Sequence, residues 1–364
     1  MTERAWGWVA HLRGGGTTPW RDWAGVAPAE GAVLPGIQQL ELLRRVNLVG
    51  SPSAALAGRV LAVDPPRRAR PGLPLVDGPT VPDHGPRPAD PGDIQDTELA
   101  RLAAVLLAED LAGHTPAPPR RGWVRPWRVR YHLLGDPELL GPWRRHLVAR
   151  GRPPGGYGGR VVVVGTDTGR MLVDLWTAHC FRHGAVPWPG WLDRRASRGG
   201  LPGPIDLDGL ARHARAGPEP VRIHVVTDPS LAGRLLGVRR GPVSPQPMAA
   251  SAVDLGRRVS AVLRPVAAPQ DRAGLIAGVL RPVLADAPGL PLVVPARHRA
   301  WVTEEAERLH RQLARGRYPV HGDPGLVLPV DRAGVETPDA AESLALALRL
   351  LLSAALTPTP EEGP

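Results

Sequence analysis

From residue 127 to residue 227 the sequence switches repeatedly between two periodicities. "WRVRYHLL" (127–134) alternates as a strand does, and "DPELLGPWRRHLVARG" (136–151) reads as a helix with Pro142 inside it. "RVVVVG" (160–165) is an apolar, β-branched run of the kind found in a buried parallel strand. "TGRMLVDLWTAHCFRHG" (168–184) reads as a helix, another helix follows, and "IDLDGLARHARAG" (205–217) is helical again. "VRIHVVT" (221–227) is a second buried strand. Parallel strands can be joined only by a long crossover, which is usually a helix. Strand–helix–strand alternation therefore predicts an α/β domain built on a parallel sheet flanked by helices.

Glycine and proline set what surrounds this block. The chain has 364 residues with 43 Gly and 44 Pro, yet 43% of its residues are hydrophobic. That mixture predicts globular blocks separated by Pro-rich connectors. Residues 64–93 and 114–122 are dominated by breakers and read as linkers. Upstream, residues 5–12 read as a strand, and 59–63 as a short strand. Residues 35–47 read as a helix, with Ile37, Leu40, Leu43 and Val46 every three residues. Residues 93–113 read as an amphipathic helix with an Asp cap and a glycine stop. The last third is predicted to be helical, near 245–263, 271–286, 297–316 and 338–356, while "PLVVP" (291–295) is too short to assign. The expected organisation is a Pro/Gly-rich N-terminal block (1–118), an α/β domain (119–330), and a C-terminal helix and tail (331–364).

The formal net charge of +10 is unevenly spread: residues 119–160 hold ten Arg against Asp136 and Glu138. Such a patch suits an anionic small molecule or a nucleotide, and is otherwise a solvated arginine face. Nucleic acid is the less favoured partner, because no reader motif is present and acids elsewhere blunt the field. The chain has no lysine, which excludes a Schiff-base lysine and a phosphate-loop lysine. Cys180 is the one cysteine, so intrachain disulfides and cysteine zinc sites are excluded. No apolar run reaches the roughly 18 residues of a membrane span, and no secretory pattern opens the sequence. A soluble, cytoplasmic protein without a membrane partner is expected, with its oligomeric state open.

"WVAHLRGGGTTPWRDW" (8–23) has the outline of a phosphate loop. Glycines allow backbone N–H groups to approach a phosphate, and a helix N-terminus adds positive potential. Arg13, Gly14, Gly15, Gly16, Thr17 and Thr18 are the candidate anion-binding residues, Arg13 supplying the charge that a lysine would. The same letters also describe an ordinary glycine-rich turn. A second segment, "YHLLGDPELLGPW" (131–143), has a strand entering a helix directly but lacks Gly-Thr-Thr, and Asp136 would repel a phosphate. Trp6, Trp8, Trp20 and Trp23 surround the first segment, either packing a Phe-poor core or stacking an aromatic ligand.

Several segments, in order, resemble the bacterial sulfotransferase family, especially its actinobacterial members. The nearest is "LPLVVPARHRAWVTEEAERLHRQLARGRYPVHGDPGLVLP" (290–329), with Pro295, Trp301, Glu304, Tyr318, Val320, Gly322, Asp323, Leu326 and Pro329 at the matching places. "MAASAVDLGRRVSAVL" (248–263), "IDLDGLARHARAGPEPVRIHVVTDP" (205–229) and "VVVVGTDTGRMLVDLWTAHCFRHG" (161–184) are similar to its other segments. The resemblance spans about 160–330. It implies a P-loop-like α/β fold and 3′-phosphoadenosine-5′-phosphosulfate (PAPS) as cofactor. It also implies an Arg-Asp pair for the 3′-phosphate after a strand, where this chain has Thr166-Asp167. The lysine of the 5′-phosphate loop has no counterpart.

Sulfuryl transfer needs a base for the acceptor hydroxyl, and His183 is the candidate. His179 lies one turn earlier on the same face. That spacing also suits a metal, but no carboxylate or cysteine cluster completes a site, so none is expected. These readings favour a sulfotransferase-like protein degenerate in cofactor binding, with a binding or scaffold role. The alternatives are an active PAPS-dependent sulfotransferase acting on a hydroxyl, and an Arg-rich polyanion binder.

Overall fold

The computed structural model describes residues 2–26, 34–64, 73–76, 87–115, 131–154, 159–217 and 221–357. Four helices come first: α1 (Thr2–Arg13), α2 (Ile37–Val49), α3 (Ala54–Ala62) and α4 (Asp96–Ala112). Strands and helices then alternate: β1 (Tyr131–Gly135), α5 (Pro137–Val148), β2 (Arg160–Val164), α6 (Thr168–His183), α7 (Trp188–Ala196), α8 (Leu207–Ala216), β3 (Arg222–Val226) and the short α9 (Ala232–Leu235). The remainder holds α10 (Ala250–Leu263), α11 (Pro269–Leu275), α12 (Arg281–Ala285), α13 (Ala296–Arg315), β4 (Val320–His321) and α14 (Ala340–Ser353). A π-helical turn, Ile276–Leu280, joins α11 to α12. Among the described residues, no helix is long and apolar enough to cross a membrane.

The chain divides into two compact units. One comprises Met1–Ala117, Ser251–Ala287 and Pro338–Pro364; the other comprises Pro118–Ala250 and Pro288–Thr337. Segment 251–287, grouped in the sequence reading with the α/β domain, thus belongs with the N-terminal block, as does the C-terminal helix.

Among its described residues, the first unit's regular elements are helices, beside an isolated parallel bridge between Leu75 and Ala89. Two segments read as strands are helices here. In α1 the buried residues are Ala5, Trp8, Val9 and Leu12, a spacing of i, i+3, i+4, i+7 that places them on one helical face. In α3 they are Leu56, Ala57, Val60 and Leu61, and the Ser53 hydroxyl accepts the Leu56 N–H as the N-cap. α4 begins at Asp96 with Gln95 at the cap position, so Asp93 is not its cap. α14 packs along α4, and α2 packs on α3 and α4. Glu41 is buried in α2, where Arg44 and Arg45 bond its carboxylate at 2.6 and 2.8 Å.

The second unit carries a four-stranded sheet of order β1-β2-β3-β4, every neighbouring pair parallel. Tyr131, Arg160 and Arg222 lie side by side at one end, and Gly135, Val164 and Val226 at the other. Side chains alternate between faces along each strand. Tyr131, Leu133, Val162, Val164 and Val226 share one face and pack with Leu139, Leu140, Trp143 and Leu147 of α5 and with Ala232 and Leu236. α8 packs over β1, β2 and β3. The strand expected over 127–134 begins at Tyr131; residues 127–130 lie outside the described residues, as does much of the 119–160 arginine segment.

Candidate functional site

In an open parallel sheet, ligands bind beyond the carboxyl ends of the strands. Four turns meet there. β1 ends at Gly135, whose φ is +113° and whose added Cβ would lie 2.0 Å from the Val164 carbonyl oxygen. Only glycine fits at so close an approach. The Asp136 N–H then donates to that carbonyl at 2.9 Å. Gly165 closes the next ladder rung to the Val226 carbonyl at 2.9 Å, and Thr227 bonds the His321 carbonyl at 3.0 Å.

An aspartate follows every one of these strands, and each caps the helical turn behind it. Asp136 accepts from the N–H groups of Glu138 at 2.9 Å and Leu139 at 3.4 Å. Asp167 accepts from Arg170 N–H at 2.9 Å, Asp228 from Ser230 N–H at 3.0 Å, and Asp323 from Gly325 N–H at 2.8 Å. Three of the four are Asp-Pro pairs, Asp136-Pro137, Asp228-Pro229 and Asp323-Pro324. An acceptor at the cap followed by proline at the first helical position is a well-formed helix start. The N–H groups that would hold a phosphate at these helix N-termini instead hold the protein's own carboxylates.

Two of the carboxylates belong to a buried network. Asp136 is 0% exposed and Asp174 of α6 is 3% exposed. The two carboxyls act on each other electrostatically, and Arg170 Nε donates to Asp174 at 2.5 Å. Burial, then the Asp174 charge, pushes the Asp136 carboxyl well above its ordinary value. Burial lifts Asp174 to about 6 against the pull of Arg170. Asp136 therefore holds the proton and Asp174 the charge, as expected when two close carboxyls cannot both ionise. Asp167 is raised by burial and opposed by its Arg170 N–H bond and by Arg332, whose Nη1 lies 2.6 Å from it. Thr168 bonds the Val327 carbonyl at 2.8 Å. The network fixes α6 against the loops that follow β3 and β4.

Within the second unit, the sequence-predicted residues Thr166 and His183 lie at opposite ends of one helix. Thr166 lies half-buried at the end of β2. His183 lies at the other end of α6, fifteen residues beyond Thr168, which at 1.5 Å per residue is about 22 Å away. His179 bonds the Leu175 carbonyl one helical turn before it, at 2.7 Å. Arg13, Gly14, Gly15, Gly16, Thr17 and Thr18 belong to the other unit. There they follow a helix, not a strand. The Gly14, Gly15 and Gly16 N–H groups bond the carbonyls of Ala10, Leu12 and His11 at 3.0, 3.1 and 2.9 Å. This is how a helix C-terminus closes, and it spends the N–H groups a phosphate loop needs. The loop's carbonyls are taken as well. Asn47 donates to Leu12 and Gly16 at 2.9 and 2.7 Å, and Trp8 Nε1 donates to Thr18 at 2.9 Å. Trp8 and Trp20 pack with ring centroids 5.4 Å apart, and Arg4 lies over Trp20.

The residues matched in 290–329 also have structural positions. The Tyr318 hydroxyl donates to Asp208 at 2.6 Å, Val320 is in β4, and Gly322 has φ +97° with its Cα against Thr227. Among the described residues, no group of three or more His, Cys, Asp or Glu is arranged to hold a metal ion. The Asp-Pro caps were missed by sequence reasoning, although the dipeptides themselves were a usable signal. No family model, curated protein or solved structure matches this chain.

Proposed function

We propose that this chain is a sulfotransferase-like protein that no longer uses PAPS and acts as a binding or scaffold module. The observation that carries the reading is Asp136. It sits at the turn after the first strand, fully buried, and bonds the N–H groups of Glu138 and Leu139. A donor phosphate would need those N–H groups, which the buried Asp136 carboxyl already occupies. Thr166, in the place where the resemblance implies an arginine, adds no charge for a 3′-phosphate. The P-loop-like character of the sheet belongs to the same proposal and rests on the sequence resemblance together with the parallel order of its strands.

Calorimetric titration with adenosine 3′,5′-bisphosphate tests it. The expected result is no saturable binding at the C-terminal edge. Tight binding that disappears in Arg13→Ala or Arg145→Ala would overturn the proposal in favour of an active enzyme. Salt-sensitive binding of duplex DNA in its place would favour the polyanion reading.

A further inference from the structure

The amino ends of β2 and β3 carry a different chemistry. Arg160 of β2 and Arg222 of β3 are register partners on adjacent parallel strands. Their side chains therefore leave the sheet on the same face, with strands about 4.8 Å apart. His224, two residues beyond Arg222, shares that face, and so does His321 of β4, the register partner of Val226. His224 Nδ1 and His321 Nε2 are 3.0 Å apart.

Like charges directly opposite one another destabilise a sheet. Neither Arg160 nor Arg222 has a carboxylate partner among the described residues. Arg160 Nη1 instead donates to the Leu235 carbonyl at 2.7 Å, which holds the guanidinium in place without neutralising it. Arg222 is exposed, and Arg160, His224 and His321 are half-buried, so all four are within reach of solvent. Burial, then the neighbouring His321, Arg160 and Arg222, lowers the His224 pKa. A transition metal fits poorly, because two imidazoles lie beside two guanidinium groups with no third ligand. A tetrahedral oxyanion fits well, since guanidinium N–H pairs and imidazole N–H groups are its usual donors.

We propose that Arg160, Arg222, His224 and His321 form a binding site for a phosphate- or sulfate-type oxyanion on the β2–β3–β4 face. Arg222 supplies the accessible charge, Arg160 a fixed one, and the histidine pair a proton that can be turned towards the ligand. The site gives the proposed binding role a ligand class. It rests on that reading only for the role of a binding module: Arg160 and Arg222 lie at the amino ends of their strands, away from the ends where a PAPS-type donor would bind, while His321 reaches the carboxyl end.

Sulfate is the decisive probe, because its charge is constant between pH 5 and 8 and any pH effect belongs to the protein. Titration at low ionic strength should give one saturable site per chain, with affinity rising at least threefold from pH 8 to pH 5, since the lowered pKa of His224 puts its protonation in the acid part of that range. Arg222→Gln, at an exposed position, should weaken binding at least tenfold, and His224→Gln should remove the pH dependence. Inorganic phosphate and phenyl phosphate form the second arm. Equal affinity assigns the site to the free ion, and tighter phenyl phosphate assigns it to a phosphomonoester; either supports the site. Absence of saturable sulfate and phosphate binding at pH 5, or binding unchanged by Arg222→Gln, overturns it, as does zinc binding that excludes sulfate. Adenosine bisphosphate that binds wild type and Arg222→Gln alike would overturn the closed donor site while leaving this proposal to the sulfate result.

Discussion

The turn after α1 and the turn after β1 use similar letters and end opposite kinds of element. Gly14–Thr18 leaves a helix, where the unpaired groups are carbonyls. The protein answers with donors, the Asn47 amide and the Trp8 indole. Gly135-Asp136 leaves a strand and enters a helix, where the unpaired groups are N–H. The protein answers with an acceptor, the Asp136 carboxylate. A glycine-rich stretch therefore carries no polarity of its own; the element before it decides whether it offers donors or acceptors. Both turns here are completed from within the chain, and each can be broken by removing the residue that completes it.

The largest expected effect is at the strand-exit turn. Arg170→Met would leave the Asp174 carboxylate buried without its cation, costing about 3–5 kcal/mol at pH 8. At pH 5 the loss should shrink, because Asp174, lifted to about 6, then takes a proton. Urea unfolding of wild type and variant at the two pH values measures it. An equal loss at both would mean that Arg170 acts by packing or through its bond to the Pro245 carbonyl.

The matching break at the helix-exit turn is Asn47→Leu. It strands the Leu12 and Gly16 carbonyls together and should cost about 1–3 kcal/mol. Hydrogen exchange should localise the damage to the end of α1 and leave the amides of β2 and β3 protected. A loss below half a kcal/mol would show that water replaces the amide and that the turn is held mainly by Trp8.

These two turns also explain how far the sequence could be read. The parallel α/β unit was legible because "RVVVVG" and "VRIHVVT" each hold a buried β-branched run and are flanked by periodic helices. The first unit was harder. In "RAWGWVAHL" the tryptophans at 6 and 8 invite a two-residue period, yet the buried set Ala5, Trp8, Val9 and Leu12 follows the helical one. Trp6, only half-buried, supplied the false alternation. With α1 read as a strand, Gly14–Thr18 took on the outline of a phosphate loop. The actual site chemistry was hidden for another reason. Asp136 is far in sequence from Asp167, the cap of α6, and from Asp174 within it, and only the sheet brings it to them. The register that sets Arg160 beside Arg222 is equally invisible before the strands are paired.

The carboxyl pair makes a smaller prediction with a definite sign. A carboxyl whose pKa is higher folded than unfolded binds more protons in the folded state between those two values, so stability falls as pH rises through that window. For Asp136 and Asp174 the fall begins near the ordinary 3.8 and, for Asp174, runs to about 6. Asp136→Asn keeps the cap, since Asn serves as well as Asp there, and removes one of the titrating carboxyls. The fall in stability with pH should be shallower in the variant, with values close to wild type at pH 4. An unchanged slope would place the shared proton elsewhere.

The smallest effect should come from Arg13→Ala, and its size discriminates between the two ways of reading the first turn. If Gly14–Thr18 were an anion loop, Arg13 beside it would supply charge together with Arg44, which bonds the Thr17 carbonyl, and its loss would weaken anion binding strongly. As the last residue of α1, Arg13 is exposed and lies where a positive side chain favours the helix dipole. Its replacement should therefore cost at most about 0.5 kcal/mol. Sulfate affinity should stay within twofold of wild type, because the oxyanion site proposed above uses Arg222 and Arg160 of the other unit. A tenfold loss of sulfate binding in Arg13→Ala, with Arg222→Gln unaffected, would move the anion site to the first turn. It would also reverse the polarity assigned to that turn, since the Gly14, Gly15 and Gly16 N–H groups would have to leave the α1 carbonyls to meet the ligand.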